Sequence, residues 1–110
     1  MSRAPNPAVA FRKLVDERCQ QLRTRSFPEL EGLARPRFGP VGEHVKVGPR
    51  SGTILTIVEA RDDGRLRVVV RGALQWRFLP FAHSMAMDGF YKDRDGVVAP
   101  MPDEEFMEFD

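Results

Sequence analysis

Thr53-Ile54-Leu55-Thr56-Ile57-Val58-Glu59-Ala60-Arg61-Asp62-Asp63-Gly64-Arg65-Leu66-Arg67-Val68-Val69-Val70-Arg71 decides the fold. Its two arms, Thr53 to Ala60 and Arg65 to Arg71, are rich in Ile, Val and Thr, whose branched side chains suit a pleated surface, and Asp62-Asp63-Gly64 punctuates them. The pattern predicts a β-hairpin. A three-residue loop that ends in a left-handed glycine is a type I turn plus bulge, and it sets Arg61 opposite Arg65. Glu59 then faces Arg67, and Ile54, Thr56, Val58 and Ala60 share a face with Leu66, Val68 and Val70. A two-residue loop would mix those apolar rows with Arg65, Arg67 and Arg71, so the pattern selects the longer loop. The reverse face carries Leu55, Ile57 and Val69, rimmed by Arg61, Arg65, Arg67 and Arg71.

Toward the amino terminus the period changes. Ala8, Phe11, Leu14, Val15, Cys19 and Leu22 recur at spacings of three and four, which predicts an amphipathic helix over 7–25. Ser26-Phe27-Pro28-Glu29 has the spacing of a capping box, so Phe27 to Leu33 forms a second short helix, ended by Gly32. Prolines and glycines then break the chain, and only Glu43 to Val47 reads as a strand before the hairpin. Toward the carboxy terminus, Gly72 ends the second arm and Leu74 to Leu79 forms a further element in which Leu74, Trp76 and Phe78 alternate with Gln75, Arg77 and Leu79. Another strand, His83 to Tyr91, has Met85, Met87 and Phe90 on one face, and the Lys92 to Gly96 turn leads into Val97-Val98.

Together these elements predict a single α+β domain over residues 1–110: an N-terminal amphipathic helix packed on an antiparallel β-meander of four to six strands spanning 43–99, with an acidic aromatic tail at 100–110. The expected core is Phe11, Leu14, Val15, Leu22, Ile54, Val58, Leu66, Val68, Val70, Trp76 and Phe78.

A chain of 110 residues with 42% hydrophobic and 30% charged content supports one packed core and is too apolar for a disordered segment. Its apolar runs are short, and Met1 to Lys13 lacks the apolar stretch of a secretion signal, so the expectation is a cytoplasmic protein with no membrane association. Cys19 is the only cysteine, which excludes an internal disulfide and a multi-thiolate metal site within one chain. His44 and His83 lie far apart, so no close-spaced ligand pair exists and neither metal nor cofactor is expected. Asp93-Arg94-Asp95-Gly96 imitates part of a calcium loop, but the frame puts Tyr91 and Pro102 where carboxylates belong.

Gly48-Pro49-Arg50-Ser51-Gly52-Thr53 lacks the spacing of a phosphate loop and precedes a strand, so it reads as a hairpin connection. Cys19 lies on the apolar stripe, Ser84 and His83 are neighbours that point to opposite faces of a strand, and Asp88, Asp93 and Asp95 have no distinguishing pattern. Nothing here makes a positive case for an enzyme.

Charge is uneven along the chain: residues 1–80 carry a balance of +7 and residues 81–110 one of −6. Either the acidic segment serves a basic surface that binds nucleic acid, or the two surfaces neutralise each other in the fold. The second alternative puts Phe106 and Phe109 on the apolar centre of the reverse sheet face, with Asp103, Glu104, Glu105 and Glu108 on its arginine rim.

Gly42-Glu43-His44-Val45-Lys46-Val47, followed by Ser51-Gly52-Thr53-Ile54 and a strand with a D-G turn, resembles the opening of KOW and other SH3-like small barrels. The resemblance covers about a quarter of the chain, omits the N-terminal helix and residues 85–110, and implies binding of RNA or protein. The expected function is a non-catalytic protein-interaction module that binds a partner, or a second copy, through Leu55, Ile57, Val69, Arg61, Arg65, Arg67 and Arg71, with Arg77 alongside. Two alternatives remain open at the level of sequence: a nucleic-acid module using Arg65, Arg67, Arg71 and Arg77, and a small-molecule enzyme or ligand binder.

Overall fold

Phe11, Val15, Cys19 and Leu22 lie buried along one side of helix α1 (Pro7–Arg23), as the stripe requires. The computed structural model describes residues 7–34, 41–75 and 83–106. Leu14, expected in the core, is 37% exposed. It sits on the flank of the stripe, above a shallow groove lined also by Glu43, Val45 and Ile54, where the sheet edge no longer covers the helix. Helix α2 (Phe27–Leu33) begins at the expected cap: the Glu29 N–H donates to Ser26 Oγ at 3.3 Å, and the Ser26 hydroxyl donates to the Glu29 carboxylate at 3.1 Å. The Arg25 guanidinium, donating to it at 3.1 Å, and then the Ser26 hydroxyl hold the Glu29 carboxyl below the usual range. Gly32 does not end α2. The helix runs through it to a C-cap at Ala34, because Gly32 points to open space and keeps a helical backbone.

The strands β1 (Val41–Val47), β2 (Arg50–Ala60), β3 (Leu66–Gln75), β4 (His83–Lys92) and β5 (Val98–Pro100) form one antiparallel sheet in chain order, so the fold is α+β with the N-terminal helix packed on a five-stranded meander. The β2–β3 register is the one the apolar pattern selects: Glu59 pairs with Arg67, Ala60 with Leu66, and the Arg61 N–H donates to the Arg65 carbonyl at 2.8 Å. Gly64 closes the loop at φ +85°, a left-handed backbone that side chains resist. The same device recurs between β4 and β5, where Asp93 N–H donates to the Val97 carbonyl at 3.1 Å and Gly96 takes φ +87°. Among the described residues no helix is long and apolar enough to cross a membrane.

Three sequence expectations about the strands need correcting. Gly72 does not terminate β3, which continues to Gln75. It is a close-approach glycine: a Cβ there would lie 2.6 Å from Phe11 Cζ and 2.8 Å from Val15 Cγ2, so α1 settles onto the strand only because Gly72 has no side chain. The separate element expected over Leu74 to Leu79 therefore starts as the end of β3, with Leu74 fully buried; Trp76, Arg77 and Phe78 lie outside the described residues. Phe90 is likewise out of phase with Met85 and Met87. Strict alternation sends Ala86, Asp88 and Phe90 toward α1, where Phe90 packs opposite Val68, and Met85, Met87 and Tyr91 to the other side.

The core fills the space between α1, α2 and the inner sheet face with Phe11, Val15, Leu22, Phe27, Leu30, Ile54, Val58, Leu66, Val68, Val70, Leu74 and Phe90. Lys92 also faces inward. It is 6% exposed, and its ammonium donates to the carbonyls of Arg23, at 2.8 Å, and Arg25, closing the C-terminal end of α1 where a cation complements the helix dipole.

Candidate interaction face

The register places Leu55, Ile57, Glu59, Arg67, Val69, Arg71 and Ala73 on the sheet face turned away from α1, beside Met85, Met87 and Tyr91 of β4. Of the residues singled out from sequence, Leu55, Ile57, Val69, Arg67 and Arg71 come together here. Arg61 and Arg65 flank the hairpin loop, and Arg77 lies outside the described residues.

This face has two halves. Near the hairpin loop it is covered by the chain's own continuation past β5. Met101 packs on Val69 and Tyr91, and all three are buried. Gly89 admits it: a Cβ there would lie 2.8 Å from the Val68 carbonyl oxygen and 3.3 Å from Met101 Sδ. Helix α3 (Asp103–Phe106) then brings Glu105 over Arg67. Arg67 is 4% exposed, donating to Glu59 at 2.6 Å and to Glu105 at 3.5 Å. The Tyr91 hydroxyl donates to the same Glu105 oxygen, and burial, followed by that hydrogen bond, pushes the phenol pKa up. Arg65 stacks over the Tyr91 ring at 4.2 Å and pairs with Asp63, holding that carboxyl below its ordinary range.

The acidic segment thus turns back on its own arginine rim, through Glu105 and with Met101 in the apolar position. The side chain of Phe106, and all of Phe109, fall outside the described residues. Tyr91 and Met101 were missed from sequence. The glycine-closed turn at Asp93–Val97 fixes the β4–β5 register, and alternation along β4 puts Tyr91 on the face of Met85 and Met87; the β3–β4 register that sets Tyr91 beside Arg67 has no comparable local signal.

Among the described residues no segment covers the other half. Leu55, Arg71 and Ala73 are half-buried and Met85 is 47% exposed, while Ile57 and Met87, also half-buried, form the border and pack on one side against the Val69–Tyr91–Met101 cluster. Arg71 sits between Leu55 and Met87 on the flanking strands, and among the described residues nothing pairs with its guanidinium. The neighbouring side chains on this half are neutral or basic, with His44 and Lys46 on β1 and Ser51 and Thr53 on β2. A shallow hollow of about 210 Å³ lined by His44, Ser51, Thr53, Ala73 and Gln75 continues the surface.

Burial, then the charge of Asp88, pushes the Cys19 thiol up to about 12, which removes the thiolate needed for nucleophilic attack. Among the described residues no group of His, Cys, Asp and Glu is placed to hold a metal ion. Gly48 and Pro49 form the turn of the β1–β2 hairpin, and Arg50 is committed to backbone carbonyls, donating to Gln75 at 2.7 Å and Leu74 at 3.2 Å.

Asp16, facing Asp88 across the α1–β4 contact, has its pKa raised by burial and then by that neighbouring charge. Its folded pKa thus exceeds its unfolded one, so it costs stability that is absent below the unfolded value and complete above the folded one. Asp16→Asn should raise the melting temperature at pH 7 by about 1–3 °C. The gain should vanish as pH falls below the ordinary aspartate range, which a thermal scan from pH 3 to 7 checks.

No protein family, curated protein or solved structure matches the chain.

Proposed function

We propose that the protein is a small non-catalytic interaction module that binds another protein through the open half of its outer sheet face. One observation carries the reading: Leu55, Ile57, Met85 and Met87 surround Arg71, which has no partner among the described residues, while the adjoining half of the same face is covered by the chain itself. Apolar side chains around a central arginine are the composition of protein interfaces, where Arg and Met are enriched and acidic residues depleted. The lone buried thiol of Cys19 suits the reducing cytoplasm.

Less supports a nucleic-acid module. Arg67 is buried against Glu59 and Glu105, Arg65 is paired with Asp63, and the aromatic side chain described on this face, Tyr91, lies under Glu105. Among the described residues that leaves neither a strip of free arginines for phosphates nor a platform for bases.

Site-specific photocrosslinking in cells tests the reading. A benzophenone side chain at Met85 should yield a discrete protein adduct, and the same group at Gln20, on the exposed side of α1, should not. Identical patterns at both positions, or no adduct at Met85, would overturn it.

A further inference from the structure

We infer that the ligand of the open half is an acidic, partly apolar peptide segment that sets a carboxylate on Arg71 and an apolar side chain between Leu55, Ile57 and Met87. This deepens the proposed function and rests on it. Two independent features point to that chemistry. The first is charge: Arg71 has no partner among the described residues, and the surrounding side chains of this half, Lys46 included, are neutral or basic, so a carboxylate is the complement the surface lacks.

The second is the other half of the same sheet, which shows how this surface is covered. There Met101 fills the apolar position over Val69, and Glu105, four residues on, reaches Arg67. Arg71 lies on the same face of the same strand as Arg67, with apolar Leu55 and Met87 beside it where Arg67 has Glu59 and Tyr91. Arg67 therefore receives one carboxylate from its own strand pair and a second from the covering segment. Arg71 has neither among the described residues, and a carboxylate on a bound segment would supply what it lacks. Phosphate alone would leave the exposed parts of Leu55, Met85 and Met87 uncovered.

The probe is the free peptide with the sequence Met101 to Asp110, Met-Pro-Asp-Glu-Glu-Phe-Met-Glu-Phe-Asp, added to the full chain while the methionine methyl signals are followed by NMR. Saturable shifts are expected at Met85 and Met87, with Met101 unmoved. Arg71→Glu should weaken the peptide about tenfold or more, and Arg71→Lys far less. A peptide with every Asp and Glu replaced by Lys should leave both signals in place.

No shift at millimolar peptide, shifts indifferent to Arg71→Glu, or displacement of Met101 instead would each overturn the inference. So would equal shifts from a single-stranded oligonucleotide that fade with salt, which would transfer the face to nucleic acid. If the peptide fails while Met85 still crosslinks a protein, the interaction reading stands and the assigned ligand chemistry falls. If both fail, both fall.

Discussion

Phe11→Ala should destabilise the fold by about 3–5 kcal/mol, the usual cost of truncating a buried phenylalanine. The position justifies the full range, because Phe11 is 1% exposed and its ring lies directly on the backbone of Gly72, where the central strand β3 passes under α1. The same contact makes the reciprocal substitution informative. Gly72→Ala adds a methyl where no space exists and should cost about 1–3 kcal/mol by overpacking. In the Phe11→Ala background the clash with the ring is gone and the one with Val15 Cγ2, at 2.8 Å, remains, so Gly72→Ala should cost clearly less there than in the parent chain. A double-mutant cycle by urea unfolding measures the coupling, and additive costs would mean that ring and glycine do not meet.

Arg67→Ala should cost about 3 kcal/mol, and its effect reaches beyond stability. The guanidinium separates two carboxylates, Glu59 and Glu105, whose side chains are 40% and 20% exposed. Without it they face each other across a partly dry gap, and the lowest-cost relief is for Glu105 to leave with α3. The variant should therefore bind a hydrophobic dye that the parent does not, because Val69 and Tyr91 lose their cover, and protease should cleave the chain after Met101 before the sheet unfolds. Pairing it with Glu105→Gln should recover part of the loss. If dye binding and cleavage stay at parental levels, α3 is held by something other than the arginine.

How far the sequence discloses this arrangement depends on the range of each contact. The β2–β3 register was legible because its evidence is local: one loop length puts Ile54 and Val58 on the face of Val68 and Val70, and the next puts them on the face of Arg67 and Arg71. The capping box at Ser26 and the stripe on α1 are local for the same reason. Gly72 was misread because a glycine in a strand looks like punctuation until the ring that needs the space, sixty-one positions away in Phe11, is known to lie above it. Leu14 shares the helical period of its neighbours, and only the position of the sheet edge explains its exposure.

The candidate face was legible in outline, since Leu55, Ile57 and Arg71 follow from the register. Its division into a covered and an open half was not, because the cover arrives from thirty or more residues away in Met101 and Glu105. Charge bookkeeping indicated that the acidic segment and the arginine rim attract each other. It gave no means of choosing which acid reaches which arginine.

Methionine footprinting by hydroxyl radicals, comparing the purified chain with the same chain inside living cells, tests the docking face most directly. In the purified chain Met85 should oxidise readily, Met87 less and Met101 least, following their exposure; in cells Met85 and Met87 should become protected while exposed side chains on α1 keep their reactivity. Equal oxidation of Met85 and Met87 in both settings, or protection already complete in the purified chain, would contradict the account.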